Sequence, residues 1–276
     1  MTLSQLRPRL PAVLYLVAVT AAGAALAQSA KTYEPHVGQA GKDVVWVPTA
    51  ESLVQKMLDM AKAGPGDYVV DLGSGDGRTV IAAAKRGIKA HGIEYNPELV
   101  ELSKRNAEAA GVADKATFAN GDIFLNDFSQ ATVVTLFLLT DLNIRLRPTL
   151  LKMKPGTRVV SNTFGMGDWE PDEVVQAPSD CRSFCKASLW IVPAEVGGRW
   201  QLEDSVLELE QKYQTIAGKV VAGNVIAPVM KGKLAGSDIA FTAGSAEYTG
   251  RVAGDSMEGT RKTGSSESKW RATRIK

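Results

Sequence analysis

Only two cysteines and two histidines occur in 276 residues, and that scarcity removes several chemistries at once. A metal site at Cys181 and Cys185 would need further ligands, and only His36 and His91 exist to supply them. An excess of one charge is missing as well: 32 Lys and Arg face 30 Asp and Glu, so nothing in the balance attracts nucleic acid or an anionic membrane. A twin arginine is absent, because Pro8 separates Arg7 from Arg9. The apolar stretch from Leu10 to Leu26 is short of the ~20 residues that a spanning helix needs.

That stretch, with its basic start and the A-x-A pattern of Ala25-Leu26-Ala27, is expected to be a cleaved signal peptide over residues 1–27, with a retained anchor as the alternative. It predicts an exported protein, periplasmic in a bacterium, or a cytoplasmic one if the signal does not work. Cleavage removes Arg7 and Arg9, so 30 basic residues then face 30 acidic ones and no membrane span is expected. For an exported chain, two thiols four positions apart predict a local disulfide that pins a loop, with free thiols as the alternative. Residues 28–42 read as a mobile entry segment.

What the chain does have is the run Val69-Val70-Asp71-Leu72-Gly73-Ser74-Gly75-Asp76-Gly77-Arg78. Two β-branched residues ahead of Asp71 read as a buried strand, and Thr79 to Lys85 reads as a helix ending at Gly87. Glycines at such a strand-to-helix turn let backbone approach a ligand closely, and the first helical turn aims free N–H groups at it. A dinucleotide fingerprint, G-x-G-x-x-G, would require glycine where Arg78 stands. Asp71 directly before the turn would repel a pyrophosphate and attract an ammonium or sulfonium, so the ligand is expected to be cationic.

The stretch resembles the first motif, D-x-G-x-G-x-G, of the class I S-adenosylmethionine-dependent methyltransferases. Two later acids fit the same family. Glu94 ends the predicted strand Lys89 to Glu94, 23 positions after Asp71, and Asp122 closes the predicted strand Ala116 to Ile123. The resemblance implies that Asp71, Gly73, Ser74, Gly75 and Gly77 bind the cofactor, that Glu94 meets the ribose hydroxyls, and that Asp122 meets the adenine amino group. It implies S-adenosylmethionine as methyl donor and no metal.

Around this motif the strands and helices alternate. Ala50 to Ala63 reads as a helix, Pro97 to Ala110 as another ended by Gly111, Ala131 to Leu139 as a long central strand, Asp141 to Met153 as a helix broken at Pro148, and Thr157 to Ser161 and Lys186 to Pro193 as strands. Val174 to Gln176 is a candidate antiparallel neighbour of the last. The expected fold is α/β: a doubly wound, mostly parallel seven-strand sheet over residues 43–196, with its ligand across the carboxyl ends of the strands. After Gly197-Gly198 the pattern changes to period-2 strands with glycine turns, such as Val206 to Glu210, Ile239 to Thr242, Glu247 to Val252 and Lys269 to Thr273. Residues 197–276 are therefore expected to form a C-terminal antiparallel β module with one buried face, similar to small sheets or incomplete barrels. It would either stabilise the catalytic domain or recognise a partner.

Val47-Pro48-Thr49, Leu138 to Asn143, Leu146-Arg147-Pro148 and Lys154 to Val160 resemble a prokaryotic branch related to mitochondrial protein-lysine methyltransferases. The resemblance implies a lysine amine of a protein as acceptor. Enzymes acting on planar amide or adenine nitrogens carry an acid or Asn, Pro-Pro and an aromatic after the fourth strand; here the run is Leu138-Leu139-Thr140-Asp141-Leu142-Asn143. Asp141 and Thr49 are the candidate catalytic groups, Asp141 and Asn143 having a helix start as their alternative reading. Trp46 to Thr49 is expected either to fold over the cofactor or to pack Trp46 on the first helix, and Trp169 either to close over the acceptor or to anchor its loop. The other functions left open are an exported ligand-binding protein whose β module binds an envelope partner, and a small-molecule methyltransferase.

Overall fold

The computed structural model describes residue 2, residues 33–177 and residues 181–276. The predicted signal peptide therefore lies, Thr2 apart, outside the described residues. The first eleven elements are α1 (Glu51–Met60), β1 (Tyr68–Leu72), α2 (Arg78–Lys85), β2 (Lys89–Glu94), α3 (Pro97–Ala109), β3 (Ala116–Asn120), β4 (Val133–Leu136), α4 (Thr140–Leu150), β5 (Arg158–Asn162), β6 (Glu173–Gln176) and β7 (Lys186–Ile191).

The strands form one sheet in the order β3-β2-β1-β4-β5-β7-β6. The first five are parallel, and β7 runs antiparallel between β5 and β6. Strand order reverses between β1 and β4, which opens a crevice at their carboxyl ends. Helices cover both faces because the strands are apolar on both. Leu53, Met57, Val80 and Ala107 pack on one side of the sheet; Leu146, Leu150, Trp169 and Trp190 pack on the other. Local signals set the helix ends: Asn96 caps α3 by accepting the Glu98 N–H at 2.9 Å, with Pro97 in the first helical position.

Three details differ from expectation. The central strand pairs only over Val133–Leu136, because Phe137 and Leu138 leave the ladder to line the crevice and Leu139 already precedes α4. Helix α4 runs through Pro148, which lies in its last turn, where the missing N–H removes one bond and ends little that would have continued. Of the segment expected to be mobile, residues 28–32 lie outside the described residues, and further along Gly38 N–H donates to Trp46 O at 2.9 Å and Trp46 N–H to Gln39 O at 2.8 Å, making a short hairpin with Lys42 near its tip. Cys181 and Cys185 are disulfide-bonded.

The C-terminal strands are β8 (Gly198–Leu202), β9 (Ser205–Lys212), β10 (Thr215–Ala222), β11 (Val225–Ala235), β12 (Asp238–Ala243), β13 (Ala246–Ala253), β14 (Ser256–Thr263) and β15 (Ser266–Arg274). They form the antiparallel module with one buried face that the pattern predicts, and they go further than an incomplete barrel by closing into eight strands. The seam is β15 on β8, where Ala272 faces Leu202. Closure leaves no open edge for foreign strands. The interior is solid, filled by Trp200, Leu207, Leu234, Phe241, Met257 and Trp270. Gly250 and Gly259 face each other across β13 and β14, and a Cβ on Gly250 would lie 2.7 Å from the Trp270 ring, so the indole packs where a side chain would otherwise stand.

Candidate functional site

The crevice begins with Asp71. Its position on β1 pairs in register with Thr135 on β4, and the Thr135 hydroxyl donates to its carboxylate at 2.6 Å. Burial pushes the carboxyl up to about 7, against the hydrogen bonds from Thr135 and Thr79 that favour the charged form and with the nearby Glu94 and Asp76 adding to the rise. Such a group gains from a cation brought beside it.

The turn that follows has Gly73, Gly75 and Gly77 at φ of 79°, 55° and 82°, values an L side chain rarely adopts. α3 holds the turn from behind: Ser103 Oγ donates to Gly75 O and Asn106 Nδ2 to Asp76 O, both at 2.9 Å. Glu94 at the end of β2 accepts the Gly75 and Asn96 N–H groups, each at 2.9 Å, yet burial still raises its pKa. Ser74 Oγ is buried against Gly92 of β2, with no hydrogen-bond partner among the described residues. Glycine backbone, the buried Asp71 and the half-buried Glu94 suit a nucleoside whose tail carries an ammonium, and the residues present fit S-adenosylmethionine.

Asp122 lies at the far end, where its carboxylate accepts the Phe124 N–H and pairs with Lys42 Nζ at 2.5 Å. The Lys42 hydrogen bond is the main reason its pKa is lowered. Lys42 also stands 4.9 Å above the Tyr95 ring. The hairpin thus lies over the cofactor end, and Trp46 with it: a Cβ on Gly75 would meet Trp46 Nε1 at 2.9 Å. Freeing Asp122 by Lys42→Met is expected to tighten S-adenosylhomocysteine binding about two- to fivefold, the scale of an exposed ion pair, read by calorimetric titration.

The opposite end is made by Thr49, Phe137, Leu138 and Leu142. Thr49 is 8% exposed, and Asn162 Nδ2 at the end of β5 donates to its hydroxyl at 3.2 Å. Asn162 accepts in turn from Thr163 Oγ1 at 2.9 Å, and Thr163 sits at φ 61°, a strained value for a β-branched residue. Asp141 is not brought here; it is exposed in the first turn of α4, outside the lining, where its charge complements the helix dipole. Asn143 is fully buried and donates to the Phe164 and Gly165 carbonyls at 3.1 and 3.2 Å, so it holds a loop. Trp169 is the anchor of that loop, fully buried with its Nε1 donating to Gln214 Oε1 at 2.9 Å.

Sequence reasoning missed Thr135, Asn162 and Lys42. Asn162 had a usable signal, since sites of doubly wound sheets gather at the carboxyl ends of strands. Thr135 depended on β1–β4 register, and Lys42 on a hairpin reaching across 80 positions of sequence to Asp122.

Comparison with known proteins agrees with this geometry. Residues 71–173 match the ANTKMT methyltransferase domain. A protein-lysine N-methyltransferase of Saccharolobus islandicus (strain REY15A) is 46% identical over 148 residues, covering 52% of this chain and 88% of that protein. The adenine nucleotide translocase lysine N-methyltransferase of Mus musculus is 34% identical over 139 residues, covering 50% of this chain and 60% of that protein, so the chain spans less than two thirds of the length of this relative. A crystal structure described as an RNA methyltransferase from Salinibacter ruber, in complex with S-adenosyl-L-homocysteine, is 45% identical, covers 54% of this chain and 96% of that one, and superposes with a TM-score of 0.51. With Asp71, the glycine turn and Glu94 meeting in one crevice, the chain belongs to the S-adenosylmethionine-dependent methyltransferases, the family in which the ANTKMT domain and these protein-lysine N-methyltransferases fall.

Proposed function

We propose that the chain transfers a methyl group to the side-chain amine of a lysine in a protein. The observation that carries this reading is the acceptor end of the crevice, where a hydroxyl, Thr49, stands among the apolar Phe137, Leu138 and Leu142. That surface suits an alkyl chain tipped by an amine, and the acid, Pro-Pro and aromatic grip for a planar nitrogen is absent after β4. The lysine-directed names of the relatives support the same acceptor.

The bound cofactor supplies a methyl group already activated on a sulfonium, ready for in-line transfer. The protein's tasks are to hold the amine, lower its proton affinity and exclude water. A free lysine has a pKa near 10.4, and an apolar slot favours its neutral form. Because Asn162 donates to Thr49 Oγ1, the second lone pair of that oxygen is left to accept an N–H of the amine and aim its nitrogen inward. Thr49→Val is therefore expected to lower the rate at saturating acceptor roughly tenfold, with S-adenosylhomocysteine affinity within twofold of wild type. Single-turnover kinetics and calorimetric titration together check it.

Mass spectrometry of candidate proteins after incubation with S-adenosylmethionine tests the acceptor. Single-methyl steps on lysine are expected. Methyl transfer to RNA, the substrate class named in the Salinibacter ruber protein's description, or to a lipid or small molecule instead would reject the lysine reading. We further place the protein outside the cytoplasm, a reading supported by the Cys181–Cys185 disulfide. Sequencing the N-terminus of the mature protein should find it beginning at Gln28; an intact Met1 would contradict export.

A further inference from the structure

We propose that the barrel acts through the β9–β10 turn as a built-in brace for the acceptor wall, with Gln214 as its positioning residue. The matched relatives cover about half of this chain, and the family match ends at residue 173, before the barrel begins. Yet the β9–β10 turn reaches into the methyltransferase core. Gln214, 8% exposed, accepts the indole N–H of the buried Trp169 at 2.9 Å and donates to Glu170 O at 2.8 Å. Both of those groups lie in the loop that follows β5.

The neighbouring turn residues grip the same loop. Tyr213 OH donates to Asp168 Oδ1 at 2.8 Å, Lys212 Nζ lies 3.1 Å from Asp168 Oδ2, and the Tyr213 ring stacks on Trp169. From the other side Asp168 takes Arg147 of α4 at 2.6 Å, and Arg147 also donates to Met166 O at 2.8 Å. One turn earlier on α4, Asn143 ties Phe164 and Gly165, and Leu142 beside it lines the crevice. Phe164 stacks on Phe137, another lining residue, at 6.2 Å between centroids.

A continuous set of contacts thus runs from the barrel turn through the Phe164–Glu170 loop and α4 to the acceptor wall. It bypasses Gly75, Asp76 and Glu94, which are tied to α3 and to the end of β2, while Asp71 is held separately by Thr135 on β4. Loosening the brace is expected to free the acceptor wall and leave the cofactor cradle as it is. The acceptor role rests on the lysine-transfer reading; the mechanical link does not.

The test is amide hydrogen exchange of the whole chain bound to S-adenosylhomocysteine, in Gln214→Leu and, as a milder variant that leaves the buried contacts intact, Asp168→Asn. The brace predicts exchange over residues 137–142 and 164–166 about tenfold or more faster in Gln214→Leu and about two- to fivefold faster in Asp168→Asn, with exchange over 72–77 unchanged and cofactor affinity within twofold. With a lysine acceptor, KM should rise about tenfold in Gln214→Leu while kcat stays within threefold, a split that general destabilisation would not produce. Unchanged exchange at the acceptor wall, acceleration spread evenly over the chain or confined to the barrel, or a parallel loss of cofactor affinity would overturn the proposal. Exchange needs no acceptor, so a failure of the lysine reading leaves that result free to support or reject the brace.

Discussion

Asp71→Asn is expected to weaken S-adenosylhomocysteine binding by a hundredfold or more while raising the melting temperature of the ligand-free protein at pH 7.5. The two effects have one cause. In the folded state burial lifts this carboxyl to about 7, from 3.8 for an unperturbed aspartate. Below pH about 4 the group is protonated in both folded and unfolded chains and contributes nothing. Between about 4 and 7 the folded state holds a proton that the unfolded state has released, so stability falls as pH rises, and above 7 the loss is complete. The gap between 3.8 and about 7 corresponds to at most roughly 4 kcal/mol, at ~1.4 kcal/mol per pH unit. Asparagine keeps an acceptor for Thr135 and removes the buried charge, so the empty protein should melt higher. What it loses is the attraction for the cofactor's positive tail. The wild type should accordingly bind S-adenosylhomocysteine more weakly as pH drops below about 7, by up to tenfold per unit, and the variant should show no such slope. A stable variant with unaltered affinity would reject the electrostatic role of Asp71.

Gly77→Val is expected to destabilise the protein by roughly 3–5 kcal/mol, the sum of a strained backbone and an overpacked neighbour. Gly77 precedes α2 at φ 82°, and a Cβ there would lie 2.8 Å from Phe118 Cζ and 2.9 Å from Ser103 Cβ. Neither neighbour can retreat easily, since Ser103 is fully buried on α3 and its hydroxyl holds Gly75 O. Against a typical total of about 5–15 kcal/mol, such a loss is a large share, and denaturant unfolding followed by circular dichroism would measure it. Gly75→Val supplies the contrast. Its Cβ would meet Trp46, on the hairpin, so the lid should shift and binding suffer with a smaller change in unfolding midpoint. Equal loss of stability in both variants would contradict this assignment of roles within the turn.

The parts of the site legible in sequence are those made over short distances along the chain. Val69 to Arg78 carries its strand, its turn and its helix start within ten residues, Glu94 closes β2, and Asp122 follows two residues after β3, each beside a strand whose apolar pattern is local. Long-range placement was not legible. Thr135 meets Asp71 through parallel register, Asn162 meets Thr49 across 113 positions, and Gln214 reaches Trp169 from another sheet. The same reason explains the barrel: period-2 patterning told of a buried face, but closure depends on β15 finding β8, and nothing in the period of either strand encodes that meeting. Asp141 shows the converse, an acid in a suggestive position that the helix turns toward solvent, outside the lining of the crevice.

A crystal structure of the protein with S-adenosylhomocysteine is the most direct measurement of the central claim. The account predicts the ammonium of the ligand against Asp71, its ribose at Glu94, its adenine at Asp122 with Lys42 displaced, and the sulfur facing Thr49. Ligand bound elsewhere, or bound in the crevice with Asp71 facing no positive charge, would contradict it.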